Sequence, residues 1–364
     1  MKVVLFLRTD LDKVSGGPNV QARQYVRELE HLGVEARLWP SDQPPRERFD
    51  IGHLLNLDWP LETALQYRAA RTCCEKVVLS TIHHRNDWVA DLHQRARHGL
   101  AATLANRTSI ERYEAVRNAF LSAPHPRRWS EAWRQLADGV RSHQRRLLER
   151  CDGILTLAEA EEHSLQTDFG TVGRRRWHVP NGALPSEPSD LPPGLPEEFL
   201  LSVGRIEGRK NQLATIEAAE ALDMPVVLAG AANPRHRALI REIEGHASSP
   251  RVIWFRHLDH GRLSALYRKA ACHVLPSWCE VVPLVDLEAA ASGARIVTTT
   301  RGYTNEWLGS GGLYWDPGSA QPLAETVVVA LEAPRPEPRS LEEIGWATAA
   351  RQLKDAYDDV LAAA

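Results

Sequence analysis

Two cations and two carboxylates stand out as residues that could act on one ligand. Arg205 follows Gly204 directly at the end of the apolar run "FLLSVG", and Lys210 comes five residues later, just ahead of a helical pattern. A strand end that delivers two cations beside a helix N-terminus forms an anion site, and two fixed positive groups suit a diphosphate better than a single carboxylate. The competing reading is a pair of solvated surface cations. The second pair lies in "PSWCEVVPLVDLEAAASG", where Glu280 and Glu288 flank an almost wholly apolar run. Pro283 suits the first turn of a helix, where its missing N–H costs nothing. Glu280 then lies in the preceding loop and Glu288 a turn and a half inside the helix. The apolar run reads as the face that seats the helix, so both carboxylates could reach one ligand. The helix start, with the amides of Leu284 and Val285, would point at whatever anion Arg205 and Lys210 hold. An ordinary loop acid plus an exposed helical acid is the alternative.

The elements that must position these groups are legible as alternating apolar runs and helical patterns. "KVVLFL", "VEARLWP", "DIGHLLN" and "KVVLSTI" read as strands, "SGGPNV" as a glycine-rich turn, and "VQARQYVRELEHLG" as a helix that stops on Gly33. "FLLSVGRI", "PVVLAG", "RVIWF", "CHVLPS", "ARIVTTT" and "GGLYWDP" repeat the rhythm in the second half. Strands spaced by helices imply parallel sheets, so the expected class is α/β, with two doubly wound domains. Ligands of such sheets bind at the carboxyl ends of the strands, which puts the expected site in the cleft of a two-domain chain. The segment 185–198 carries five prolines in fourteen residues and reads as an interdomain linker.

The region 84–150 departs from the rhythm: it reads as helices without a strand. It holds thirteen arginines against seven carboxylates, together with Trp88, Trp129 and Trp133, in a chain whose net charge is -3. A solvated helical insertion is one reading, and an acceptor-facing or membrane-facing surface the other. The overall charge predicts no bulk attraction to nucleic acid. No apolar run approaches the length of a membrane span. "MKVVLFLRTD" reads as a first strand, not a signal peptide. Five cysteines without paired spacing suggest neither a disulfide framework nor a zinc site, and fit a reduced cytoplasm.

Taken in order, these segments resemble the retaining GT-B glycosyltransferases of family 4, the glycosyl transferases group 1. The likeness rests on "VGR" with Lys210 behind it, on Glu280 and Glu288 eight apart with "EA...G" following, and on Gly16-Gly17, "VVLSTIHH", "RCDGILTLAEAEEHSL" and "HVPNG". "RGYTNEWLGSGGLYWDP" and the closing "EEIGWATAARQLKDAYDDVL", with Trp346 and Tyr357, complete it. The resemblance implies a GT-B fold: an acceptor-side Rossmann-like domain over 1–184 and a nucleotide-sugar domain over 199–340, facing a cleft. A helix over 341–364 would cross back to the N-terminal domain. It also implies roles. Arg205 and Lys210 would bind the donor diphosphate and stabilise the leaving group. Glu280 would contact the transferred sugar and Glu288 the ribose. His83 would sit over the sugar, and Gly16-Gly17 would let the backbone approach donor or acceptor. Gly204, Pro283, Leu284 and Val285 would line the donor site. No metal, cofactor or protein nucleophile is implied; the acceptor would attack from the face the donor phosphate leaves.

The implied partners are a UDP-, GDP- or similar sugar and a glycan, lipid-linked saccharide or small glycoside, in cell-surface polysaccharide or lipopolysaccharide assembly. The implied location is cytoplasmic, with peripheral contact at the inner membrane face. The chain departs from the family where Phe-Gly after Glu280 becomes Val282-Pro283. A proline there removes one amide from the phosphate side, and it keeps in view a non-catalytic, nucleotide-sugar- or glycan-binding scaffold. A sugar-nucleotide isomerase of the same fold is a further alternative.

Overall fold

The computed structural model describes residues 1–9, 16–95, 110–122, 126–170, 175–184 and 187–363. The chain forms two compact units. One takes residues 1–85, 103–182 and 346–364, the other 86–102 and 183–345.

The chain begins β1 (Lys2–Phe6), α1 (Gly17–His31), β2 (Glu35–Trp39), β3 (Phe49–Leu55), α2 (Pro60–Cys73), β4 (Cys74–Ser80). Helices α3 (Asn86–Arg95), α4 (Ile110–Ser122), α5 (Pro126–Asp138) and α6 (Val140–Arg150) follow. Then come β5 (Gly153–Thr156), α7 (Glu159–Phe169) and β6 (Arg176–His178). The six strands pair in parallel in the order β2-β1-β3-β4-β5-β6. Their apolar runs are buried on both faces, as helices on either side of a parallel sheet require: Val3, Val4, Leu5, Val77, Val78 and Leu79 are wholly covered. The strand order reverses between β1 and β3, so the loops after these strands border the unit's crevice.

The second unit contains β7 (Leu200–Val203), a 3₁₀ turn (Gly208–Lys210), α8 (Gln212–Ala221), β8 (Val226–Ala229), α9 (Arg237–His246), β9 (Val252–Phe255), α10 (His260–Lys269) and β10 (Cys272–Leu275). It continues through α11 (Leu284–Ala291), β11 (Ile296–Thr299), α12 (Asn305–Leu308), β12 (Leu313–Trp315), α13 (Leu323–Glu332) and α14 (Leu341–Ile344). Its sheet is also parallel, ordered β12-β11-β10-β7-β8-β9. Here the reversal falls between β7 and β10, the strands that precede Arg205 and Glu280.

Helix α15 (Trp346–Ala362) returns to the first unit. Trp346 packs edge-on to Tyr25 of α1 with ring centroids 5.5 Å apart. The Tyr357 hydroxyl lies 2.6 Å from Nδ1 of His53 on β3, and His53 Nε2 lies 2.7 Å from Ser80 Oγ on β4. Burial pushes the His53 pKa down to about 3, so the ring is neutral and bonds through both nitrogens, one donating and one accepting.

Two boundaries differ from expectation. The proline-rich segment is not a free tether: Ser189 donates to the Gly261 carbonyl at 3.2 Å, which lays the described part of it on the start of α10. The helical stretch after residue 84 is divided: α3 groups with the second unit, α4 to α6 with the first. Residues 96–109 and 123–125 of that stretch lie outside the described residues.

Candidate active site

Residues 204–212 leave the second unit's sheet at its point of reversal. Gly204 has φ +147°, a conformation closed to residues with a Cβ, so the chain can turn there and bring Arg205 out at the strand end. The 3₁₀ turn that follows ends on Asn211, left-handed at φ +54°. Its Nδ2 donates to the Pro276 carbonyl at 3.1 Å and ties this loop to the one after β10. Trp278 N donates to the Arg209 carbonyl at 2.9 Å and adds a second stitch.

The stitched loops carry alternating charges. Arg205 pairs with Glu207 at 3.1 Å, and Glu207 with Arg209 at 3.3 Å. Arg209 donates to Glu280 Oε2 at 2.8 Å, and Lys210 to Glu280 Oε1 at 2.7 Å. Three cations thus surround two carboxylates, leaving a surplus of one positive charge. Burial opposes ionisation of Glu207, but Arg209, Arg205 and Lys210 outweigh it and hold its carboxyl below the ordinary value. Glu280 is buried, and Gly302 is packed so closely against it that a Cβ there would lie 3.1 Å from Glu280 Cβ.

Helix α11 begins just beyond. Pro283 is its N-cap, not a first-turn residue, with φ -69° and ψ 129°. The amides of Leu284 and Val285 therefore open the helix, and the proline removes none from its first turn. Asp286, the one acid of the run between the glutamates, is fully buried. It accepts from Thr298 Oγ1 of β11 at 2.7 Å and lies 3.2 Å from His273 Nε2 of β10. The helix is thus seated on the sheet by a polar tie as well as by Leu287 and Ala290.

The structure gathers Arg205, Lys210 and Glu280 into one cluster and sets Glu288 apart from it. Glu288 lines a pocket of about 240 Å³ with Glu187, His260, Ser264, Tyr267 and Arg268. Among the described residues its carboxyl has no hydrogen-bonding or ion-pair partner, and the buried Tyr267 hydroxyl beside it has none either. Burial pushes the Glu288 pKa up to about 7. It is not the exposed helical acid of the alternative reading.

His83 lies in the first unit. Ile82 before it is left-handed at φ +43°, a strained state for a β-branched residue. The His83 amide donates to Glu161 at 2.7 Å. Its ring donates to Asp58 Oδ1 at 2.7 Å and to Asp168 Oδ2 at 2.9 Å, and is 1% exposed. Burial alone would favour the neutral ring, but the two carboxylates outweigh it and push the pKa up to about 10. His83 is therefore an imidazolium with both nitrogens engaged. The more exposed His84 shares Asp58, at 2.9 Å. Gly16 caps α1 and Gly17 opens it; nothing lies within 4 Å of where either Cβ would be, so no described neighbour demands glycine at either place.

Glu207, Arg209, Asp286, His273 and Thr298 went unread in the sequence. The alternation "RIEGRK" was a visible signal for the first two, and an acid inside an apolar helical run for the third.

Two six-stranded parallel Rossmann-like sheets, the second with a cluster of surplus positive charge at its reversal, define the GT-B class of glycosyltransferase folds. Residues 187–346, which lie almost wholly in the second unit, match the family model described as glycosyl transferases group 1. Over 142 residues the chain is 34% identical to the glycogen synthase of Mycobacterium tuberculosis; the match covers 37% of this chain and 34% of that protein, about a third of the relative's length. The sucrose-phosphate synthase of Thermosynechococcus elongatus superposes over 100% of both chains with a TM-score of 0.72 at 16% identity. The Anabaena protein HepE, solved in complex with UDP-glucose, superposes over 99% of this chain and 98% of its own, with a TM-score of 0.63 at 12% identity. No described helix is long and apolar enough to cross a membrane.

Proposed function

We propose that the protein is a retaining glycosyltransferase that moves a hexose-type sugar from a nucleoside diphosphate donor to a saccharide acceptor. The alternating cluster Arg205–Glu207–Arg209–Glu280–Lys210, at the sheet's reversal and beside the start of α11, carries this reading. On this reading Arg205, Lys210 and the α11 amides receive the diphosphate. As the bond between the sugar's anomeric carbon and the phosphate oxygen breaks, the electron pair goes to that oxygen, and the cations stabilise the charge already facing them. The acceptor hydroxyl attacks from the same face and passes its proton to the departing phosphate. Glu207 and Glu280 hold the cations in place before the donor arrives, so little reorganisation is left for the reaction. The positive charge a metal would supply is supplied by side chains, and turnover is expected to survive chelation.

Glu280 meets the sugar hydroxyls and Glu288 the ribose. The UDP-glucose bound to the structurally similar HepE makes a UDP-sugar the first donor to try. His83, with both nitrogens bonded to aspartates, shapes the sugar side of the first unit through Asp58 and His84, and the backbone of Gly16-Gly17, free of side chains, lets donor or acceptor approach. The acceptor is a growing glycan or lipid-linked saccharide of cell-surface assembly. It is met at the inner membrane face, where the exposed Val116, Phe120, Trp129, Trp133 and Leu136 of α4 and α5 would lie on the lipid.

The test is a thermal-shift panel of UDP, GDP, ADP, dTDP and CMP, with and without their sugars, on wild type and Lys210→Ala. One nucleoside diphosphate is expected to raise the melting point, the stabilisation growing with the logarithm of its excess over Kd and reaching about 2.7 kcal/mol at a hundredfold excess. Lys210→Ala should lose the shift and the turnover together. No shift with any nucleotide would favour a scaffold that binds glycan alone; a shift indifferent to Lys210→Ala would remove the diphosphate from this cluster.

A further inference from the structure

The turn 300–304 holds Glu280 by its backbone. Glu280 N donates to the Arg301 carbonyl at 2.8 Å, and Tyr303 N to the Val281 carbonyl at 2.8 Å. Whatever fixes this turn therefore fixes the carboxylate that grips Lys210 and Arg209.

The turn is gripped in its own right. Arg301 is 12% exposed; its Nε donates to Asp316 at 2.7 Å, and its guanidinium carbon lies 5.7 Å from the Trp278 ring centroid. Its Nη1 donates at 2.8 Å to Asp91 of α3. Two residues on, Tyr303 packs against Trp88 of α3 with ring centroids 5.5 Å apart. Trp88 and Asp91 are three positions apart, so α3 presents both from one face and takes the turn at two points.

Helix α3 has only ten residues, none of them fully buried. A helix this short is marginal alone and owes its order to what it docks on. An ion pair that is largely covered on the arginine side, with a ring contact beside it, is the anchorage by which α3 groups with the second unit.

We infer that α3 is a positioning element for the donor-sugar end of the site, with Asp91 and Trp88 as positioning residues that hold turn 300–304 and through it the backbone of Glu280. The assignment of that carboxylate to the donor sugar rests on the proposed function; the grip on the turn does not. Loosening α3 would cost the diphosphate contacts less than the sugar contacts: Glu280 also grips Lys210, but Arg205 is held by Glu207, and the start of α11 offers amides of its own. The loosening would so separate sugar-nucleotide affinity from nucleoside diphosphate affinity.

The experiment is amide hydrogen exchange over residues 278–304 of the full chain, in wild type, Asp91→Asn, Trp88→Ala and the conservative Asp91→Glu. Alongside it, KM for the sugar nucleotide and Kd for the nucleoside diphosphate are measured. Exchange at the Glu280 and Tyr303 amides should rise about fivefold in Asp91→Asn and Trp88→Ala, in line with the loss of one partly covered contact, and stay near wild type in Asp91→Glu. KM for the sugar nucleotide should rise by a similar factor while Kd for the diphosphate rises by clearly less. Unchanged exchange in both disruptive variants would overturn the inference, as would an equal loss of diphosphate affinity. Faster exchange in a protein whose wild type binds no nucleotide would leave the grip on the turn standing and bring down the donor reading instead.

Discussion

Glu288 is the residue whose chemistry pH can expose. An ordinary glutamate titrates near 4.5, whereas burial pushes this one up to about 7. At neutral pH it is divided between the acid and the carboxylate, with Glu187, His260, Arg268 and Tyr267 around it. Ribose hydroxyls donate to a carboxylate, so donor affinity should rise with pH through 7 and level off above it. The unliganded protein should do the reverse. Between 4.5 and 7 the folded state keeps a proton that the unfolded state has released, so stability falls as pH rises across that window. Glu288→Gln should flatten both profiles. Isothermal titration of the nucleotide at pH 5.5, 7.0 and 8.5, with melts at the same values, checks this; a wild-type affinity that does not change with pH would exclude Glu288 from the ribose.

Among elements, α11 shows what could be read in advance and what could not. Its start, its small-residue end and its burial follow from Pro283, the alanines after Glu288 and Gly293, all local signals. Its polar seat does not, because His273 and Thr298 belong to different strands and meet Asp286 only once β10 and β11 pair. The same distinction separates Lys210, visible near a strand end, from Arg209, whose role depends on a glutamate 71 positions away. α3 was legible as a helix, but its docking partner Arg301 is 210 positions off. His83 was legible as a strand-end histidine; the aspartates that occupy both its nitrogens, 25 and 85 positions away, were not. Asp286→Ala should strip the buried Thr298 and His273 of a partner and cost roughly 1–3 kcal/mol in denaturant unfolding, with Asp286→Asn costing less. A change under about 0.5 kcal/mol for the alanine variant would mean that apolar packing alone seats the helix.

Across the whole molecule, charge and exposure diverge between regions. A chain of net charge -3 carries an arginine-rich helical stretch whose α4 and α5 expose Phe120 at 79% and Trp133 at 69%. Exposed aromatics beside cations are the pattern of a lipid-facing surface. Sedimentation with vesicles of mixed anionic and zwitterionic lipid should carry the protein down, less so in high salt, and much less for Phe120→Ser with Trp133→Ser. Partition indifferent to anionic lipid and to both substitutions would assign the patch to something other than a membrane. The return of α15 to the first unit has a consequence for how the molecule is made. Tyr25 and His53 emerge from the ribosome early, yet Trp346 and Tyr357, which pack on and bond to them, are translated more than three hundred residues later. The second unit, first translated in full, can close while the older half of the chain still waits for its last helix.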